Sequence, residues 1–236
     1  MTDQRFEGFQ QGAIQFLAEL KENNNKEWFA QHKERYEEVL LGPAEAFVTE
    51  FGDALREEYP MVHFGTQRNG SGSIMRIYRD VRFSPDKRPY KENLGMVFWL
   101  GNGKKVEQPG FYVHLSPSEA FFYGGQYMFP KPVLKEYRIA VDDPTKGTML
   151  ESILADLDGE GLTLLNQPAY KRVPRGYPAD HPRGDLLKYS GVGVSANISE
   201  KISDGPGLIG FLLDTTRKMR PLIEWLMEMN SFAQNS

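Results

Sequence analysis

Apolar residues in the first sixty positions recur at three- and four-residue spacing. Phe6, Phe9, Ala13, Phe16, Leu17 and Leu20 form one stripe, which Asn23, Asn24 and Asn25 then interrupt. A helix is predicted up to the asparagines and a second one after them, with Asn25 suited to N-cap it because its side-chain oxygen can accept from a free N–H of the first turn. In KEWFAQHKERYEEVLL, Phe29, His32, Tyr36, Val39 and Leu40 share one side. Gly42-Pro43 is expected to stop that helix and open a third, whose stripe is Phe47, Val48, Phe51 and Leu55. From Ile74 to Gly125 the period shortens. IMRIY, MVFWL, FYVHL and AFFYG read as strands of an antiparallel meander, joined by turn formers such as GNGK (101–104) and QPGF (108–111). Helical spacing returns from Pro130 to Leu157, with Leu134, Tyr137 and Val141 on one side and Met149, Ile153 and Leu157 on another. A strand GLTLL, a Pro/Gly-rich stretch PRGYPADHPRGD, a strand pair around GVGVSANI and a terminal helix kinked or broken at Pro221 complete the reading. These elements predict one α+β domain over residues 1–236: N-terminal helices, a central, mainly antiparallel sheet, and further helices packed on it.

Composition narrows the classes. A chain of 236 residues with 40% hydrophobic and 25% charged residues is an ordinary globular one, neither disordered nor fibrous. The formal net charge of -4 gives no global positive field, so nucleic acid is disfavoured as a partner and any contact with it would need a local patch. With no cysteine, disulfides, thiolate nucleophiles and cysteine metal sites are all excluded. The start MTDQRFEGFQ has no basic-then-apolar signal, and no apolar run approaches the ~18 residues that span a bilayer, so the chain is expected to be cytoplasmic, with no membrane partner. Thirteen acidic residues against six basic ones in the first sixty read as the solvated faces of amphipathic helices.

Against that acidic background, residues 76–91, RIYRDVRFSPDKRPYK, carry four arginines, two lysines and two aspartates. Read as a strand from Ile74 to Phe83, the segment puts Met75, Ile77, Arg79, Val81 and Phe83 on one face and Arg76, Tyr78, Asp80 and Arg82 on the other. Arg79 then lies in an apolar row and requires a carboxylate partner or a bound anion. SPDK reads as a turn that gathers Lys87, Arg88 and Lys91 at the strand end. Arginine forks and lysine point charges together suit a phosphate- or carboxylate-bearing ligand. Surface ion pairs, each worth little, explain the same density of charge.

Two further groups are candidates. In FYVHL, Tyr112 and His114 face away from Phe111, Val113 and Leu115, and an imidazole titrating near neutrality can transfer protons; a plain hydrogen-bonded histidine is the commoner outcome. The stretch from Lys171 to Asp185 carries Arg172, Arg175, Tyr177, Asp180, His181 and Arg183 among prolines and glycines. Such a loop either delivers functional side chains or braces two elements, and it is expected to fold over the arginine segment and complete a basic pocket. GTQRNGS (65–71) has phosphate-loop glycine spacing but Ser71 in the lysine position, so it reads as a connector. His32, His63, His114 and His181 show no metal-ligand spacing, and neither a carboxylate pair for glycoside chemistry nor a G-x-S-x-G turn is visible.

RIYRDVRFSPDKRPYK, with NNNKEWF, PGFYVHLSP, GGQYMFP and VPRGYPADHP in the same order, resembles a widespread bacterial and fungal family of conserved proteins described as a domain of unknown function. The resemblance covers nearly the whole chain and brings no activity with it. It implies that the arginine-rich segment is the most characteristic feature, carried here by Arg76, Arg79, Asp80, Arg82, Phe83, Asp86, Lys87, Pro89, Tyr90 and Lys91.

The resulting expectation is a small anionic ligand bound by Arg76, Arg79, Arg82, Lys87, Tyr90, Lys91, Tyr112, Arg175 and His181. Hydrolytic or transfer chemistry assisted by Asp80 or His114 is an open extension; cofactor, protein partner and enzyme status are undetermined, and no metal is expected. The competing reading is a non-catalytic interaction or structural module whose arginines sit in internal salt bridges.

Overall fold

A computed structural model of the chain describes residues 5–234. Helix α1 (Gln11–Glu22) buries Ala13, Phe16, Leu17 and Leu20, and Phe6 and Phe9 are buried ahead of it. Asn25 caps α2 (Lys26–Gln31), its side chain accepting from the Trp28 N–H at 2.9 Å. The chain continues through α3 (Lys33–Tyr36) into a π-helical turn, Glu37–Leu41, and directly into α4 (Gly42–Glu58). Gly42-Pro43 therefore does not end a helix. Proline lacks an N–H and crowds the carbonyl four residues back; the wider turn, with Gly42 N–H bonded to the Glu37 carbonyl, absorbs both problems. Phe47 and Phe51 of α4 meet Phe98 edge-on, and Phe51 meets Phe122 in the same way at 5.9 Å. All four rings are fully buried, each stabilising the fold by roughly 1.5–3 kcal/mol relative to exposure.

The sheet is antiparallel, six-stranded, and ordered β1-β2-β3-β4-β6-β5. Its strands are β1 (Val62–His63), β2 (Leu94–Leu100), β3 (Gly110–Leu115), β4 (Ala120–Gln126), β5 (Thr163–Leu164) and β6 (Val192–Asn197). MVFWL, FYVHL and AFFYG form the meander β2-β3-β4, as the short β-type runs between turn formers predict. GVGVSANI supplies one strand instead of two, paired to β5 with Thr163 opposite Ser195.

The predicted strand from Ile74 to Phe83 is not formed. Only isolated bridges remain, Ile74 to Met96 and Tyr78 to Tyr90. After Ile77 the chain pairs back on itself, Arg79 N–H to the Pro89 carbonyl at 2.9 Å and Lys91 N–H to the Ile77 carbonyl at 2.7 Å, and residues 80–88 become an irregular loop. Asp80 and Asp86 accept from the backbone N–H groups of Arg82 and Arg88, two donors a sheet ladder would need. Pro85 and Pro89 offer none.

Helices α5 (Lys131–Asp142) and α6 (Pro144–Gly159) form a tight pair, with Asp143 capping α6 through the Thr145 and Lys146 N–H groups. Helix α7 (Gly205–Gln234) runs unbroken through Pro221. An interior proline costs about 3 kcal/mol. Burial of Leu222, Ile223 and Leu226 just beyond it offsets that cost.

The chain resolves into two compact units. The first comprises the N-terminal stretch up to Phe98, Tyr112–Phe122 and Asn197–Asp214; the second comprises Trp99–Phe111, Tyr123–Ala196 and the stretch from Thr215 onward. Each unit is built from three separated stretches, so no single point in the sequence marks a boundary. Among the described residues, no helix is long and apolar enough to cross a membrane.

Candidate functional site

In the first unit, the asparagine run and the arginine-rich segment meet. Asn24 Nδ2 donates to the Tyr90 carbonyl and its Oδ1 accepts from the Tyr90 N–H, both at 3.0 Å. This two-way amide clamp treats residue 90 as a neighbouring strand would. The Tyr90 ring, 4% exposed, stacks on Phe29 at 4.2 Å. The ring anchors the loop, because an aromatic of that size gains more from burial than from facing water.

The loop held by this clamp neutralises most of its own charge. Arg79 donates to Asp86 at 2.7 Å and to the Arg88 carbonyl at 3.1 Å, so the partner demanded by its position is an acid seven residues away. Arg88 forks onto the same Asp86 and pairs with Glu92. Hydrogen bonds from Arg88, and then Arg79, hold the Asp86 carboxyl below the usual carboxylate range. Arg82 forks onto Asp80 at 2.9 and 2.7 Å, with both side chains well exposed. The Arg82 side-chain hydrogen bond lowers the Asp80 pKa to about 2. Both Asp80 carboxylate oxygens accept from Arg82. Lys87 Nζ donates to the Val81 carbonyl at 2.9 Å.

Arg76 and Lys91 are different. Neither has a carboxylate or other acceptor among the described residues, and each lies within the other's field. Burial, and then the Arg76 charge, lowers the Lys91 pKa. Exposed Tyr78 flanks them, 5.4 Å ring to ring from Tyr90. Burial raises the Tyr36 phenol to about 12, partly opposed by the charge of Arg68, which is forked onto Glu45.

On β3, Tyr112 and His114 share a face, as their alternation predicts, and bond to each other, hydroxyl to Nδ1, at 3.1 Å. The imidazole lies flat on Phe121 at 4.7 Å, with Glu119 at 3.9 Å from Nε2. Burial depresses its pKa, partly opposed by Glu119. Gly95 of β2 makes room for the tyrosine: a Cβ there would lie 2.6 Å from the Tyr112 hydroxyl.

Arg175 and His181 belong to the second unit. His181 Nε2 meets Asp142 at 3.0 Å and its Nδ1 accepts from the Arg183 N–H. Arg183 donates to the Val141 and Asp142 carbonyls at 2.6 and 3.1 Å. The loop is therefore fastened to α5, bracing the end of that helix, while Arg175 is exposed. A cleft of about 390 Å³ in the same unit is lined by Ile139, Lys146, Met149, Trp225, Met229 and Phe232 among others, and contains none of the predicted residues. Among the described residues no three His, Asp or Glu side chains are grouped to hold a metal ion.

Sequence reasoning missed Asn24, Phe29 and Glu92 as parts of the site. Asparagine in a helix break reads as a cap, and only the fold shows Asn24 reaching residue 90. No curated protein matches the chain. A family model described as a conserved hypothetical protein, DUF2461, matches residues 12–225, a span that includes the asparagine run, the whole arginine loop and the His181 loop. The chain belongs to that family.

Proposed function

We propose that the first unit binds a small phosphate- or carboxylate-bearing molecule through Arg76 and Lys91, beside the exposed ring of Tyr78. One observation carries this reading: in a loop where Arg79, Arg82 and Arg88 each hold an acid of the chain, these two adjacent cations hold none among the described residues. Two like charges kept together, one of them partly desolvated, repel each other; an anion between them relieves that repulsion. The other arginines fit the second reading, a structural role, and their matched pairs favour it for that part of the loop. The loop is then a self-neutralised scaffold presenting a two-cation site. Asp80 is committed to Arg82 and His114 to Tyr112, so the reading is one of binding without an assigned reaction.

The test is a thermal-shift screen of the full chain against phosphorylated and carboxylated metabolites, since a ligand of the folded state raises apparent stability. At least one compound should raise Tm in the wild type and lose its effect in Arg76→Gln/Lys91→Gln. If every stabilising compound works equally well on that double variant, the assignment is wrong.

A further inference from the structure

Arg138 differs from every arginine of the loop. It lies on α5, four residues after Leu134 and three before Val141, on the side marked by the apolar spacing. Its Nε and Nη2 atoms are buried and have no hydrogen-bond partner among the described residues. These two nitrogens form one edge of the guanidinium, with parallel N–H bonds. Arg68 turns that same edge to Glu45, at 2.6 and 2.9 Å, and Arg82 turns it to Asp80. The edge is shaped for two oxygens on one carbon or phosphorus, and keeping it dry and unpaired is costly.

Among the described residues no acid pairs with it. Asp142, one turn further along α5, is engaged by His181. Tyr170 covers a face of the guanidinium, its ring centroid 4.8 Å from Cζ, and the phenols of Tyr137 and Tyr177 lie within its field. Tyr170 itself is 42% exposed. The chain then continues through Lys171, Arg172 and Arg175, all exposed, with only local backbone bonds until His181 and Arg183 fasten it to α5.

We infer that the Nε–Nη2 edge of Arg138 is a second site in this protein, one that takes a small oxyanion presenting two oxygens of a single carboxylate or phosphate group. Tyr170 is the ring such a ligand displaces on entry, and Lys171, Arg172 and Arg175 raise the local concentration of anions at that entrance. Arg138 is here a binding residue, and the site is independent of Arg76 and Lys91.

The experiment compares the melting of the full chain in chloride with that in malonate or inorganic phosphate at matched ionic strength. The wild type should gain about 3 °C at a tenfold excess over Kd. Arg138→Leu should lose the gain, yet melt in chloride no lower than the wild type, because an unpaired buried charge has been removed. Arg138→Lys keeps the charge without the fork and should weaken the anion at least several-fold; it carries the test if the leucine variant does not fold. A response to malonate alone identifies a carboxylate site and a response to both anions a general oxyanion site, and either supports the inference. No response to either anion, or one unchanged in both Arg138 variants, overturns it. Repeating the series in Arg76→Gln/Lys91→Gln separates the two sites: the Arg138-dependent gain must persist there, and its loss would reassign the anion to the first unit.

Discussion

Arg82 and Arg138 show how little charge density says about charge balance. Arg82 lies in the most cationic stretch of the chain, exposed to water that would solvate it in any case, and it has a two-point carboxylate partner. Arg138 lies in an apolar helical stripe, half-buried, and its Nε and Nη2 are shielded from water with no acceptor among the described residues. Aspartate two residues before arginine, as in Asp80-Val81-Arg82 and Asp86-Lys87-Arg88, brings its own partner at almost no loop-closure cost. An arginine inside a helix has no such option at that spacing, because residues two apart on a helix do not face each other. Most arginines of a conspicuous charge cluster can thus be matched, while a solitary arginine elsewhere is left without an acceptor on one edge.

If the arginine loop is held by its buried aromatic clamp and its ion pairs serve mainly to cancel charge, three substitutions should separate in size. Tyr90→Ala, which removes a ring stacked on Phe29 and undercuts the Asn24 clamp, should cost about 3 kcal/mol in a denaturant titration. A loss below about 1 kcal/mol would show that the ion pairs hold the loop instead. An intermediate effect is expected from Asp86, and it depends on pH. Its folded-state pKa is depressed, so its stabilisation is present above the unfolded value near 4 and is lost as pH falls through the folded value. The Tm difference between wild type and Asp86→Asn should therefore shrink on acidification below about pH 4, and parallel curves would refute the coupling. Asp80→Asn is expected to have the smallest effect: its pair with Arg82 is exposed on both sides, and Tm should not move measurably at physiological salt. A clear drop would mean that Asp80 does more than neutralise Arg82.

Much of the fold was legible because it rests on local periodicity. The stripes ending at Leu20 and running through Phe47, Phe51 and Leu55 are the buried faces they predict, and the meander β2-β3-β4 follows from short β-type runs bounded by glycine and proline. The failures are equally local in cause. Gly42-Pro43 reads as a stop because proline forbids an α-helical bond, but not the wider turn the chain adopts. IMRIYRDVRF alternates like a strand, yet Asp80 captures an N–H group that pairing requires, and Asp86 does the same just beyond it. The site was legible as a location and not as a set of roles. Alternation marked Arg79, in an apolar row, as the arginine that needs a partner, and Asp86 supplies one; Arg76, on the polar face, carried no such signal, yet it is the one with no acid among the described residues.

The amino-acid sequence alone determined the α+β class, the buried helical faces and the place where cationic side chains concentrate, since each depends on spacing within a few residues. Tertiary structure alone decided which of those cations are neutralised, that Asn24 and Phe29 reach across more than sixty positions to hold Tyr90, and that one guanidinium edge of Arg138 is buried with no acceptor among the described residues. The division has a physical origin: periodicity sets which way a side chain points, whereas the free energy of a charge depends on water and on partners that only folding brings within 3 Å.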